Sequence, residues 1–363
     1  MKIYRVGGSI RDELLGKPVK DQDFIVLDAD EAAFLKAFPN ARRQGREKPV
    51  YRVGSDEYTL SECVSIEEDF MERDLTINAM ARDEKGNLYA HPKALEDLEQ
   101  KILRPVRREN FLKDPLRVFR AARFAASLPD FKMDPALFDT MKHARPYLAK
   151  PAAERVGREV LSALGAEKPS RFFRVLLEAK CLDPWLSELK RAAEVPAGPV
   201  PYHRGSLFDH LMDVVENLGG DVLLAWMGLC HDLGKLCTKE EDWPHHHGHD
   251  KAGEAPIRAL SQRLKLSKRF EEAGLAASRH HMTAGLYSKL RPGTRVDLLV
   301  NLHRQNLIEA IFRLVVADNG ENFMVCVQRD LKKILAVHLP EDHGLEGVEV
   351  GKKLRELRCM ALA

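Results

Sequence analysis

The sequence predicts an α+β protein in which a strand-bearing head precedes helical units. Three observations carry that expectation. Strand signals are confined to roughly the first 90 of 363 residues, apolar residues recur at three- and four-residue intervals from about Asn110 onward, and residues 192–205 hold three prolines and two glycines. The chain is two to three times the usual domain length, so more than one hydrophobic core is expected.

The head is marked by apolar, β-prone runs at Ile3 to Val6, Phe24 to Leu27, Tyr51 to Val53, Tyr58 to Leu60 and Ala79 to Ala81. Gly-Gly, Lys-Pro and Gly-Asn pairs punctuate them, and the short helical patterns "SIRDELLG" and "DEAAFLKAF" lie between. Beyond Asn110, "PLRVFRAARFAASL", "AERVGREVLSALGA" and "PSRFFRVLLEAKCL" each carry the helical repeat. The stretch 192–205 reads as a linker, and from His210 a second helical unit begins, dense in histidine. The expected organisation is a head over 1–109, a helical neck and body over 110–200, and a histidine-rich helical unit with a tail over 201–363.

Composition excludes several classes. With 44% hydrophobic and 31% charged residues the chain is ordinary for a globular protein, and a net charge of +2 gives no whole-chain evidence of a polyanionic partner. Six cysteines without a CxxC pair argue against a zinc ribbon and a disulfide framework, which fits a reducing cytosol. Met1 to Ser9 reaches Gly-Gly before any apolar core of signal-peptide length, and Val222 to Cys230 is too short to span a bilayer. The expectation is a cytoplasmic protein without a membrane partner.

In "VKDQDFIVLD", Asp21 and Asp23 are two residues apart at the entry of a strand, so they point the same way. Alone, such a pair reads more readily as a solvated turn before a strand. Two carboxylates side by side repel unless a divalent cation lies between them, and magnesium takes hard oxygen ligands together with substrate phosphates. Upstream, "VGGSIRDELLG" runs a strand into Gly7 and Gly8 and then a helix bearing Arg11 and Asp12. Glycine lets the backbone approach a phosphate, and Arg11 adds a fixed positive fork.

Together these two stretches resemble the polymerase-β superfamily nucleotidyltransferases that act on tRNA 3′ ends, the bacterial class II CCA-adding enzymes and poly(A) polymerases. Further segments extend the resemblance. "ERDLTINAM" is similar to the family's RRDxxxNA motif, which implies nucleotide contacts for Arg73, Asp74 and Asn78, with Glu72 in place of the first basic residue. "DPLRVFRAARFA" is similar to the next motif, covering Asp114, Arg117, Arg120 and Arg123, and the resemblance implies that Arg120 and Arg123 touch the incoming nucleotide. Lys101 to Arg123 holds eight basic residues against two acids, an excess suited to a triphosphate or an RNA backbone. In "PAAERVGRE", Glu154 and Arg158 match the family's base-reading E-D-x-x-R signature, with Arg155 at the Asp position. Only nine residues, Val64 to Glu72, separate Cys63 from Arg73, so the loop credited in complete CCA-adding enzymes with the switch from CTP to ATP is shortened or absent. Glu62 is expected to be an exposed acid.

"FDHLMDV" and "CHDLGK" place His210 ahead of an adjacent His231-Asp232 pair. They resemble the HD phosphohydrolase superfamily, whose last ligand is a distant Asp, here Asp318 in "VVADNGEN". His249, His280 and His281 are candidate additional or phosphate-binding groups, and the cluster His245 to His247 reads as surface decoration.

The resemblance implies a polymerase-β-like head, a helical neck and body, and an all-helical HD domain. Implied with it are a magnesium-dependent transfer of C and A from CTP and ATP to the tRNA 3′ end, with catalytic Asp21 and Asp23 assisted by Gly8, and no DNA partner. A divalent transition metal or magnesium is expected on His210, His231, Asp232 and Asp318. Partial addition of CC or A, poly(A) polymerase activity, and a phosphohydrolase with an inactive RNA-binding head stay open, as do monomer and homodimer.

Overall fold

A computed structural model of the protein describes residues 1–19, 22–45, 49–200, 205–340 and 344–363. The chain divides into two compact units, one formed by Met1–Pro151 with Arg174–Cys181 and the other by Ala152–Phe173 with Leu182–Ala363.

The first unit opens with β1 (Lys2–Val6), α1 (Gly8–Leu14), β2 (Asp23–Leu27), α2 (Glu31–Ala37), β3 (Arg42–Gln44), β4 (Val50–Val53) and β5 (Asp56–Leu60). It continues through α3 (Ile66–Met71), β6 (Met80–Asp83), β7 (Leu88–Ala90), α4 (Ala94–Glu99) and β8 (Ile102–Leu103). Among the described residues, seven strands form one sheet in the order β3-β4-β5-β2-β1-β6-β7. Only the β2–β5 neighbours are parallel; the other pairs are antiparallel.

Alternation along β2 sorts the two faces. Ile25 and Leu27 join Val6 of β1 and pack under Ile66 and Phe70 of α3, whereas Val26 packs with Phe34 of α2, Tyr51 and Tyr58. The register sets Asp23 opposite Val6 and beside Glu57. Asp23 therefore lies on the α3 face, at the exposed end of a strand whose other end is buried.

α5 (Arg108–Lys113), α6 (Leu116–Ser127), β9 (Lys132–Met133) and α7 (Pro135–Ala144) complete the larger segment of this unit. Strand β9 pairs with β8 in parallel, and Asp134 caps α7 by accepting the Ala136 N–H at 2.8 Å.

The second unit is helical: α8 (Ala153–Leu164), α9 (Pro169–Glu178, whose last residues belong to the first unit), α10 (Ser187–Ala192), α11 (Leu207–Asn217) and α12 (Val222–Cys230). There follow α13 (His249–Ala252), α14 (Glu254–Arg263), α15 (Lys268–Gly285), α16 (Pro292–Arg304), α17 (Ile308–Asn319), α18 (Met324–Leu335) and α19 (Val348–Leu362). Helix α12 is apolar all round because it is buried all round: Leu224 to Cys230 are all inaccessible, enclosed by α11, α15 and α17. Asp221 starts it by accepting the N–H groups of Leu223 and Leu224. No helix among the described residues is long and apolar enough to cross a membrane.

Candidate active sites

In the first unit, Val6 hands the chain to Gly7, which adopts φ 73 and donates its N–H to the Met80 carbonyl at 3.0 Å. That left-handed conformation favours glycine, and a Cβ there would lie 3.6 Å from Nη1 of Arg73. Arg73 is itself fixed by Asp69, one helical turn earlier on α3, whose Oδ2 accepts from Nε at 2.8 Å and Nη2 at 2.7 Å. Asp23 lies one strand away, opposite Val6. Asp21, its expected companion, falls outside the described residues. Glu62 is exposed, as the sequence led us to expect.

Next to the Gly7 turn, Arg11 is 8% exposed and donates from Nη1 to Oδ1 of Asn78 at 2.6 Å, while Nε reaches Asp12 at 2.9 Å. Asn78 in turn donates to Oδ1 of the buried Asp74 at 3.0 Å, and Arg120 of α6 donates from Nε to Oδ2 of Asp74 at 2.8 Å. Burial alone would raise the Asp74 carboxyl. Arg120, the Asn78 amide and Arg117 outweigh it and hold the group far below the usual carboxylate range. The side chains of Arg11, Arg120 and Arg123 gather around Phe124, with guanidinium carbons 5.1, 5.7 and 4.4 Å from the ring centroid. Arg117 is more enclosed: burial lowers its pKa, and its Nη1 has no hydrogen-bond partner among the described residues. Four residues expected from the sequence, Arg11, Asp74, Asn78 and Arg120, thus form one connected network, with Gly8 and Arg73 beside it. A Cβ at Gly8 would lie 3.4 Å from Nη2 of Arg11.

Glu72, which stands where the family motif has a basic residue, is ion-paired with Arg107 at 2.9 Å and Lys113 at 3.1 Å. The Lys113 hydrogen bond leads the effects that hold its carboxyl below the ordinary range. Asn110 reinforces the same link by donating to the carbonyls of Met71 and Arg73. Asp114 accepts the Leu116 N–H at 3.2 Å at the start of α6. Arg155 and Arg158 are exposed on α8 of the second unit, on the side away from buried Val156 and Val160.

The second unit holds a separate cluster. His210 of α11, His231 at the end of α12, Asp232, His249 of α13, His281 of α15 and Asp318 of α17 converge, although 108 residues of chain separate the first from the last. His210 Nε2 lies 3.3 Å from Oδ2 of Asp232, 3.2 Å from Asp318 and 3.1 Å from Nε2 of His231. On the other side, His249 Nε2 and His281 Nε2 lie 3.1 and 3.3 Å from Oδ1 of Asp232 and 3.3 Å from each other. Two groups, His210/His231/Asp232 and Asp232/His249/His281, have the spacing of cation ligands and share one carboxylate.

The tautomers explain why these groups face inward. Nδ1 of His231 lies 2.8 Å from the Gly228 carbonyl, that of His249 2.8 Å from the His246 carbonyl, and that of His281 2.9 Å from the Ser278 carbonyl. A carbonyl only accepts, so each Nδ1 carries a proton, and it is in the neutral form that each ring turns a bare Nε2 toward Asp232. Oδ1 of Asp232, buried and without a hydrogen bond, is then left facing two nitrogen lone pairs. A shared divalent cation resolves that conflict, and imidazole with carboxylate is the donor set of transition metals. Without one, protons take its place: burial lowers the His231 pKa, but Asp232 and Asp318 override it and push it up to about 10. Both carboxyls are held well below their ordinary range against the opposing effect of burial.

Close approach builds the cluster. A Cβ at Gly234 would lie 1.9 Å from the His249 carbonyl oxygen, so only glycine lets the 3-10 turn Leu233–Cys237 meet α13. Two contributors were not legible as such. Lys235 is buried, with Nζ 2.6 Å from Oδ2 of Asp232 and 2.6 Å from the Ala197 carbonyl. His246, expected on the surface, is 1% exposed, bonded to Thr238 at 2.7 Å and Pro196 at 2.8 Å, and presents the carbonyl that orients His249. His245 and His247 are exposed, with their rings stacked 5.8 Å apart. His280 does not join the cluster; it lies one position and about 100° round α15 from His281.

Comparison with known proteins bears on the family and the fold. Residues 3–60 and 38–104 match the poly A polymerase head domain, and residues 130–192 match a probable RNA and SrmB-binding site of polymerase A. The multifunctional CCA protein of Xanthomonas euvesicatoria pv. vesicatoria (strain 85-10) is 34% identical over 100% of this chain and 98% of its own length. That of Legionella pneumophila (strain Paris) is 34% identical over 87% of this chain and 83% of its own. Among solved structures, the Thermotoga maritima CCA-adding enzyme complexed with tRNA superposes with a TM-score of 0.67 at 17% identity, over 99% of this chain and 87% of that one.

Proposed function

The chain belongs to the family of class II CCA-adding enzymes and poly(A) polymerases, and on that footing we propose that it extends the 3′ end of tRNA from CTP and ATP, in the cytoplasm and without a template. The observation that carries this reading is the network that draws Arg11, Asn78, Asp74 and Arg120 together beside the Gly7 turn, within one strand of Asp23. In this reading residues 1–109 are the catalytic head, 110–200 the nucleotide- and tRNA-binding body, and 201–363 a metal-dependent hydrolase unit.

Asp23, with Asp21, would hold magnesium: a carboxylate at the exposed strand end, beside a second acid in Glu57, offers the hard oxygen donors that ion takes. Bound there, it would neutralise the triphosphate and acidify the attacking 3′-hydroxyl. The chain's own part is positioning. Arg11, Arg73, Arg120 and Arg123 receive the phosphates, and Asp74 and Asn78 keep Arg11 and Arg120 aimed. Arg155 and Arg158 would read the base from exposed positions on α8. Sequence-specific templating is not required, since an RNA stem with a single-stranded end is recognised by shape and phosphate contacts.

The connection from β5 to α3 spans residues 61–65 and is pinned at both sides: Ser65 accepts the Glu68 N–H and Glu68 accepts the Val64 N–H. So short and capped a turn keeps partial addition, CC or A alone, as the alternative to complete CCA synthesis. The deciding experiment incubates the protein and magnesium with tRNA transcripts ending before CCA, after C or after CC, with labelled CTP or ATP. Extension by C only, A only or all three residues selects the sub-reading; no extension with any combination removes the proposal.

The second unit supports a metal-dependent phosphohydrolase acting on 2′,3′-cyclic or terminal phosphates, a reaction that would supply the head with the free 3′-hydroxyl it needs. His210, His231, Asp232 and Asp318 would hold one cation, and His249 and His281 with Asp232 offer a second half-site. A cation there would supply Lewis acidity to the phosphate. Lys235 keeps Asp232 oriented, and His210 and Asp318, the most accessible members, open the site to substrate. Full cyclic-phosphodiesterase activity in an Asp232→Ala protein would rule this out.

A further inference from the structure

Phe124 lies within the segment "DPLRVFRAARFA" without a role in the reading above, yet it sits at the centre of the phosphate-binding arginines. It is 6% exposed on α6, one turn beyond Arg120 and adjacent to Arg123, and its ring also meets Arg11 from α1. The contacts close a circuit: Arg11 to Asn78, Asn78 to Asp74, Asp74 to Arg120, and both arginines back to one aromatic ring.

Three like charges around one point repel, and something must hold them there. An aromatic face attracts each guanidinium through its quadrupole while leaving the formal charge intact. Asp12 and Asp74 each orient one arginine from the side, and the ring supplies the common focus. Arg120 and Arg123 are only partly buried, so part of each side chain still faces solvent.

We infer that Phe124 is the positioning residue of a polyphosphate subsite, setting Arg11, Arg120 and Arg123 at the spacing that receives the triphosphate tail of the nucleotide. This rests on the nucleotidyl-transfer reading, and it adds that the subsite grips phosphate without reference to the base. Phe124→Leu and Phe124→Met, the latter with an unbranched side chain that adapts to the space, remove the ring; Phe124→Tyr keeps it. In steady-state assays with CTP and ATP, the two non-aromatic variants raise KM for both nucleotides and the inhibition constant for pyrophosphate by a common factor of about ten. Their KM for tRNA and melting temperature stay close to the parent's, and Phe124→Tyr restores most of the nucleotide affinity. Nucleotide constants unchanged in a folded Phe124→Met protein overturn the inference, as does a loss that moves tRNA affinity and melting temperature with it. Calorimetry with tripolyphosphate separates the two claims: if the parent never extends RNA, transfer fails as a reading, while a parent-to-variant difference in tripolyphosphate binding still decides the role of Phe124.

Discussion

Held between Arg120 and Asn78, the Asp74 carboxyl stays ionised far into acid, and its linkage has a definite sign. A folded pKa below the unfolded value adds stability that is complete above the ordinary Asp value of about 3.9 and is lost as pH falls through the depressed one. Asp74→Asn should therefore cost about 2 kcal/mol at neutral pH, less than for a wholly buried pair because Arg120 is one-third exposed. Denaturant unfolding across pH should show a constant gap between parent and variant down to about pH 5, closing only below about pH 4. A gap that closes near pH 6 would show that Asp74 is not the group responsible. In the other unit, Asp232 serves both halves of the histidine cluster. Asp232→Ala should abolish high-affinity manganese binding, whereas His249→Ala should leave the His210 side able to bind, weakened about 10–100-fold; calorimetric titration distinguishes them.

At the scale of elements, the strands that pair through the sheet's centre were legible because they are apolar and β-branched or aromatic; Phe24 to Leu27 was read as a strand and is one. The narrow edge strands were not. Arg42–Gln44 is exposed throughout and Leu88–Ala90 is only half-buried, so neither carries the alternation that burial imposes. The histidine cluster was half-legible for a related reason. His231 and Asp232 announce themselves by adjacency, whereas Lys235 is held against Asp232 by the Ala197 carbonyl and His246 acts through its own carbonyl, and backbone oxygens leave no trace in residue identity. Gly234 is the element-level joint of that cluster. Gly234→Ala should displace α13, cost about 2–4 kcal/mol and weaken manganese binding on the His249 side, measured by melting temperature and titration together. Ser65→Ala, by contrast, loses one helix cap and should cost about 1 kcal/mol in denaturant unfolding without touching the metal.

For the molecule as a whole, the phosphate-binding arginine network with Asp23 lies in the first compact unit and the histidine cluster in the second, and the two share no residue. Effects at such sites should add. Asp23→Ala should remove nucleotide transfer and leave phosphohydrolase activity within about twofold, Asp232→Ala should do the reverse, and the double variant should show both losses and no more. Transfer and hydrolysis assays on the same preparations measure this directly. The division itself was only partly foreseeable. Periodicity marks where helices begin, but it does not say which core a helix joins, and α9 ends among residues assigned to the earlier unit.

That crossing sets an order on biosynthesis. The first unit includes residues 174–181, which leave the ribosome only after 152–173, a stretch whose packing partners belong to the later unit. A nascent chain therefore cannot finish its amino-terminal core as soon as Pro151 emerges: contacts such as that of the Cys181 thiol with the Met141 carbonyl form only once residue 181 has followed, and until then the core stands incomplete.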